Sequence, residues 1–235
     1  MLKVTITDDF MINLLSRADD LEDTHEDIIL GSGSERTALI CDNQTIVKVP
    51  NWFQLTNHFS TNSLKKEWIE NAKKWNPDST LLEKDKKSFF IYKTEQSENE
   101  IFILKELEKI ISIDAIQRFN AEIYRWGEWR GHVIIFCERL RPISEEYIYD
   151  YDVVEQVEQL LETMEIELAK CPLNVEDLHG ENFGYDRNGK MKFLDFGTWQ
   201  KKDIERFCIK WLNFYEWKSL VDCDCDNCKY DFCRR

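Results

Sequence analysis

The sequence predicts an α+β chain, with an antiparallel, strand-rich first half and a second half that is mostly helical. Three observations carry this. Short apolar runs between residues 28 and 50 are punctuated by Gly31–Gly33 and by Asp42-Asn43-Gln44, as in successive hairpins. A second strand pair, AEIYRWGEWRGHVIIFCERLRPI, is joined by a Gly-containing connection. Val153, Val157, Leu160, Leu161, Met164 and Leu168 then recur at helical spacing.

Taken in order, residues 9–22 read as an amphipathic helix with Phe10, Ile12, Leu14, Leu15 and Leu21 inward. A strand, a glycine turn, a second strand at Thr37–Cys41 and a third ending at Pro50 follow. Residues 51–97 are polar and uneven, except that Leu64, Trp68, Ala72 and Trp75 fall at helical spacing. SENEIFILKELEKIIS is a helix whose apolar face is Ile101, Leu104, Leu107 and Ile111. After the second strand pair, Arg141-Pro142 marks the boundary between the halves. A last helix is expected over 203–220, its aromatic residues packing a small helical lobe.

Composition limits the function. The 235 residues are enough for one large domain or two small lobes. A formal net charge of −14, with no long Lys/Arg run, argues against nucleic-acid and anionic-membrane partners. There is no secretory leader pattern and no apolar run near the roughly 20 residues of a span, so a cytoplasmic location is expected. There the eight cysteines should be thiols or metal ligands rather than disulfides.

The densest polar chemistry lies in VEDLHGENFGYDRNGKMKFLDFGTW, 175–199. Asp195 ends a strand-like run and Gly197 turns the chain, while Asp177 and Asn182 flank a loop. Two acids and an amide that converge can hold magnesium with phosphate oxygens, and an acid can orient a hydroxyl and accept its proton. Such a set suits phosphoryl transfer from a magnesium nucleotide. Upstream, Gly31-Ser32-Gly33 allows close backbone approach to phosphates but also fits a plain hairpin turn. Lys48 sits in the apolar strand TIVKV, where a lysine can also snorkel from an edge.

At these residues the chain resembles the protein-kinase superfamily, in the compact, atypical form of small bacterial and bacteriophage kinases. Asp177-Leu178-His179-Gly180-Glu181-Asn182 is similar to the family's catalytic loop Asp-Leu-Lys-Pro-Glu-Asn, and Asp195-Phe196-Gly197 to its magnesium motif. Gly31-Ser32-Gly33 resembles the glycine-rich loop, Val47-Lys48-Val49 the lysine strand, and Asn99-Glu100 the helix that pairs with it. Ile134 to Leu140 resembles the strand entering the adenine-binding hinge. The order of motifs is kept over residues 28–200.

The resemblance implies a bilobal kinase-like fold with an antiparallel N-lobe over 1–140, a reduced C-lobe over 141–220 and a Cys-rich tail over 221–235. It implies ATP and Mg2+ as cofactors. Asp177 would be the catalytic carboxylate, Asn182 and Asp195 the magnesium ligands, and Lys48 paired with Glu100 the phosphate contact, with Glu98 a rival for that pairing. Backbone of Glu138, Arg139 and Leu140 would meet the adenine. The phosphoacceptor would be a protein hydroxyl or a small molecule of the aminoglycoside/choline-kinase kind, and a pseudokinase acting as a nucleotide- or protein-binding module is the reading without turnover.

The departures are specific. Arg36 stands near the place of the loop's third glycine, which predicts a looser lid. Val175-Glu176 replaces the His-Arg before the catalytic Asp, and His179 replaces the family's lysine. No Ala-Pro-Glu motif follows Gly197. In the tail, Cys223, Cys225, Cys228 and Cys233 form C-x-C-x2-C-x4-C, enough thiolates for a closed Zn2+ site and equally compatible with an acidic, cysteine-bearing terminus.

Overall fold

The computed structural model describes residues 1–20, 29–32, 35–55, 59, 61–143, 150–168, 171, 173–175, 182–197, 199–201 and 208–209. In chain order the elements are β1 (Leu2–Thr5), α1 (Asp8–Asp20), β2 (Ile29–Ser32), β3 (Arg36–Ile40), β4 (Thr45–Pro50), β5 (Trp52–Gln54), α2 (Asn62–Trp75), β6 (Thr80–Lys84), β7 (Lys87–Ile91) and α3 (Gln96–Leu107). There follow α4 (Ile113–Phe119), β8 (Ile123–Trp129), β9 (His132–Glu138), β10 (Arg141–Pro142), α5 (Tyr151–Glu167), β11 (Leu173–Val175), β12 (Phe183–Tyr185), β13 (Met191–Phe193), β14 (Gln200–Lys201) and β15 (Cys208–Ile209). The α+β class expected from the sequence is the class observed. Among the described residues no helix is long and apolar enough to cross a membrane.

The chain divides into two compact units. One holds Met1–Glu98 and Ile123–Arg139, the other Asn99–Glu122 and the chain from Leu140 onward. The switch at Arg139/Leu140 adjoins the expected boundary, while most of α3, expected in the first half, is grouped with the second unit.

In the first unit a six-stranded sheet runs β1-β8-β9-β4-β3-β2, and a second sheet runs β5-β7-β6. Only the β1–β8 pairing among these is parallel. Alternation along the strands sends Leu39, Val47, Val49, Ile134 and Phe136 to one face of the large sheet, where they share a core with Met11, Ile12, Leu14, Leu15 and Ala18 of α1 and with Leu82, Phe89 and Ile91 of the small sheet. The first turn of α1 is pinned by Asp8, which accepts from Trp129 Nε1 at 2.8 Å and Arg130 Nη2 at 2.6 Å. Those two hydrogen bonds, Trp129 first, hold its carboxyl below the usual range.

Helix α2 forms where Leu64, Trp68, Ala72 and Trp75 fall at helical spacing, but it has no buried residue, and Trp75 is 90% exposed. Trp68 anchors it to the small sheet by aromatic contact, stacked on Phe53 at 4.9 Å and edge-on to Phe90 at 5.2 Å. The sheet beneath was itself not foreseen, and neither were β1 and α4.

In the second unit, α4 and α5 pack on each other and on β13. The α5 stripe expected from sequence is inward, with Val153, Val157, Leu160, Leu161, Met164 and Leu168 all buried. Two three-stranded sheets, β10-β12-β13 and β14-β11-β15, give this unit more strand than a mostly helical lobe. The helix expected over 203–220 is corrected at Cys208–Ile209, which form β15 and pair in parallel with β11. Backbone pairing with β11 overrides local helical periodicity there. The rest of that expected helix, and the aromatics at Trp211, Phe214, Tyr215 and Trp217, lie outside the described residues.

Candidate functional site

The second unit carries the magnesium-ligand candidates on one hairpin. β12 and β13 pair with Phe183 opposite Phe193, Gly184 opposite Lys192 and Tyr185 opposite Met191. The connecting turn is fastened by Asp186, whose Oδ1 accepts from Asn188 N at 2.8 Å and Lys190 N at 2.9 Å. Burial raises the Asp186 carboxyl, but the Lys190 and Asn188 amides and the Lys192 charge outweigh it and hold it below the ordinary value. Beyond the last pair, Leu194 N donates to Asn182 O at 2.8 Å, so the ladder continues for one more step. That step sets Asn182 and Asp195 at the same end of the hairpin, both half-buried.

The Asp195-Phe196-Gly197 turn is held from three sides. Asp195 Oδ1 accepts from Gly197 N at 2.5 Å. Phe196 is fully buried, 4.3 Å from the Trp199 ring and 6.5 Å from that of Phe119. Asn99 Nδ2 donates to Gly197 O at 2.8 Å and Trp199 O at 2.7 Å. Gly184 is required behind the hairpin, since a Cβ there would lie 2.9 Å from Arg141 O and from Leu140 Cβ. This close approach fixes β10, just past the expected hinge, against β12.

The first unit carries the phosphate and adenine candidates on one sheet. Gly31 pairs with Ala38, Ala38 with Lys48, and Lys48 with Ile135, one row across β2, β3, β4 and β9. By alternation this row lies on the sheet face opposite the α1 core. Lys48 therefore stands between Ala38 and Ile135, with Gly31 one strand beyond Ala38. It is 6% exposed, and a lysine so buried requires a partner, which it has. Ser32 pairs with Thr37. Gly33 lies outside the described residues.

Arg36, near the place of the loop's third glycine, is buried in β3, with Nη1 3.5 Å from Ser97 Oγ. At the hinge, Glu138 pairs with Thr45, and Arg139 N donates to Gln44 O at 2.7 Å, so that amide is already committed. Leu140 is buried. The two rivals on α3 differ in environment: Glu98 is an ion-pair partner of Lys93, whereas Glu100 is only 1% exposed.

Asp177 and His179 lie outside the described residues, as do Cys223, Cys225, Cys228 and Cys233 of the tail. Among the described residues no three His, Cys, Asp or Glu side chains group to hold a metal. Asn182 and Asp195 supply one amide and one carboxylate, hard oxygen donors of the kind Mg2+ takes. Sequence reasoning missed Ala38, Asn99 as a tether, and Trp199. The alternation in RTALI could have placed Ala38 beside Lys48, but the other two depend on partners distant in sequence.

No protein-family model and no curated protein matches the chain. Among solved structures it is similar to WbdD, in its co-crystal structure with the kinase inhibitor LY294002, at a TM-score of 0.39 and 12% identity over 74% of this chain. The chain spans 33% of that protein's length, and a likeness of this size carries no argument about activity.

Proposed function

We propose that the chain is an ATP- and Mg2+-dependent phosphotransferase of the protein-kinase kind, acting on protein hydroxyls. The observation that supports the reading is the hairpin that brings Asn182 and Asp195 to the same end. The buried Lys48, beside Ala38 and in one row with Gly31, agrees with it. In this reading residues 1–140 form the N-lobe and 141–220 a reduced C-lobe.

Each residue then has a distinct task. Bound magnesium nucleotide would supply the phosphoryl group and neutralise its charge. Asn182 and Asp195 hold the metal through oxygen. Lys48, oriented by Glu100, binds phosphate, with the Gly31-Ser32-Gly33 backbone above it. The Asp177 carboxylate orients the acceptor hydroxyl and takes its proton. The adenine edge meets the backbone of Glu138 to Leu140, without the N–H of Arg139.

The test is incubation of purified protein with radiolabelled ATP, Mg2+ and host lysate. Label on proteins is expected. Label on small molecules alone would move the reading to a small-molecule kinase, and no label with retained nucleotide binding would make it a pseudokinase. Asp195→Ala and Lys48→Ala should abolish turnover, while Asp177→Asn should keep nucleotide affinity and lose rate. Turnover at the wild-type rate in Lys48→Ala would refute the assignment of that lysine.

A further inference from the structure

None of the residues given a task in phosphoryl transfer lines the cavity of about 580 Å³ in the first unit. Its walls come from three connections. Helix α2 ends there in Trp75 and the chain runs on through Asn76-Pro77-Asp78, the approach to α3 passes through Tyr92 to Glu95, and Glu35 and Asn51 flank the ends of β3 and β4. Hydrogen bonds fix these walls to one another. Asn76 clamps the backbone of Lys93, Nδ2 donating to Lys93 O at 3.1 Å and Oδ1 accepting from Lys93 N at 3.1 Å. Tyr92 N donates to Asn51 O at 2.9 Å, Asn51 N to Glu35 O at 3.1 Å, and Thr94 Oγ1 to Glu35 Oε2. The cavity is therefore shaped before anything enters it.

Its charge is one-sided. Glu35, Asp78 and Glu95 line it, and none of the three has an ion pair among the described residues. The lining base, Lys93, turns its ammonium to Glu98 Oε1 and to Gly131 O at 2.5 Å. Trp75 adds an indole that is 90% exposed, and no ring packs on it among the described residues. Tyr92, half-buried, supplies a second ring to the lining.

We infer that this cavity binds a small organic polyamine, its ammonium groups on Glu35, Asp78 and Glu95 and its carbon chain against Trp75 and Tyr92. The carboxylates call for a cation, and an aromatic face favours one carried on carbon. A bare metal ion fits less well, because no three His, Cys, Asp or Glu side chains among the described residues group to hold one. The volume is that of a small-molecule site. A second copy of the chain would bring a formal charge of −14 against three carboxylates and be repelled.

The test is isothermal titration calorimetry of the full chain with spermidine, without nucleotide. Saturable binding of a single spermidine per chain is expected, weakening with salt. Affinity should fall at least about tenfold in Trp75→Ala and in Asp78→Asn/Glu95→Gln, and be kept in Trp75→Tyr. Asp85→Asn/Asp114→Asn removes as much charge elsewhere and should bind as wild type. Asp195→Ala should also bind normally, which separates this inference from the catalytic reading. No binding, several equivalents lost equally in Asp85→Asn/Asp114→Asn, undiminished affinity in Trp75→Ala, displacement of spermidine by Ca2+ at equal ionic strength, or tighter binding of a lysine- and arginine-bearing peptide would each overturn it.

Discussion

His132 is a histidine kept neutral by its surroundings. It is 1% exposed, its Nε2 lies 2.8 Å from Thr80 Oγ1, and its ring stacks on Trp129 at 5.7 Å. Burial, and then the charge of Lys93, lower its pKa from 6.5 to about 4. The unfolded chain therefore binds a proton in that window which the folded chain refuses. The stability is full above pH 6.5 and is lost as pH falls towards about 4, up to about 3 kcal/mol in all. Denaturant titrations across this range should show that acid limb in the wild type and flatten it in His132→Gln. Parallel curves for the two proteins would disprove the assignment. Asn99 makes a second residue-scale case, because one amide group serves the carbonyls of both Gly197 and Trp199. Asn99→Ala strands both and should cost about 1–3 kcal/mol in denaturant midpoint, with Asn99→Asp worse because it turns oxygen towards oxygen. The Asp-Phe-Gly motif is legible as three letters, but its tether is not. A lone asparagine near a helix start reads as a surface amide, and its partners lie 98 and 100 residues away.

Two hairpins show what makes an element legible. β8 and β9 close with Trp129 opposite His132, leaving Arg130 at φ 46° and Gly131 at φ 80°. A glycine at the second of two left-handed positions is a strong turn signal, and the pair is visible in the sequence. β6 and β7 close in the same way, with Lys84 opposite Lys87 and both turn residues left-handed, Asp85 at φ 51° and Lys86 at φ 68°. Without a glycine the stretch reads as polar and uneven, so the whole β5-β7-β6 sheet went unforeseen. A left-handed lysine is also strained relative to glycine. Replacing Asp85-Lys86 by Asn-Gly should therefore raise stability by about 0.5–1 kcal/mol, read as a higher denaturant midpoint at unchanged slope. An unchanged or lower midpoint would mean that these side chains repay the strain through contacts of their own. The β12–β13 hairpin was more legible, because apolar runs on either side of Asp186–Gly189 announce the turn. β15 was least so, since pairing with β11 decides its form and periodicity does not.

At the scale of the molecule, composition gave the class and the charge, but the sequence boundary did not anticipate that residues 99–122 group with the second unit. Such grouping depends on packing against α5 and β13, which no local pattern reports. The charge has a measurable consequence. Acidic residues number 45 against 31 basic, so like-charge repulsion acts on the folded chain at neutral pH. Ion pairs oppose it locally, among them Lys3–Glu128 at 2.8 Å and Arg118–Glu167 at 2.6 Å, but these are partly exposed and each contributes little. The two effects respond to salt with opposite sign. Screening removes attraction between partners in contact and repulsion between charges farther apart, and repulsion is the longer-ranged of the two here. Raising ionic strength from about 0.01 M to about 0.15 M shortens the Debye length from about 30 Å to about 8 Å, which removes most of the repulsion while close pairs keep part of their attraction. The melting temperature should therefore rise across that range in NaCl at pH 7, and the rise should shrink near pH 5, close to the sequence pI of about 4.8, where the net charge approaches zero. A melting temperature that falls with salt at pH 7 would show that the contact pairs, and not the excess of carboxylates, govern the electrostatics of the fold.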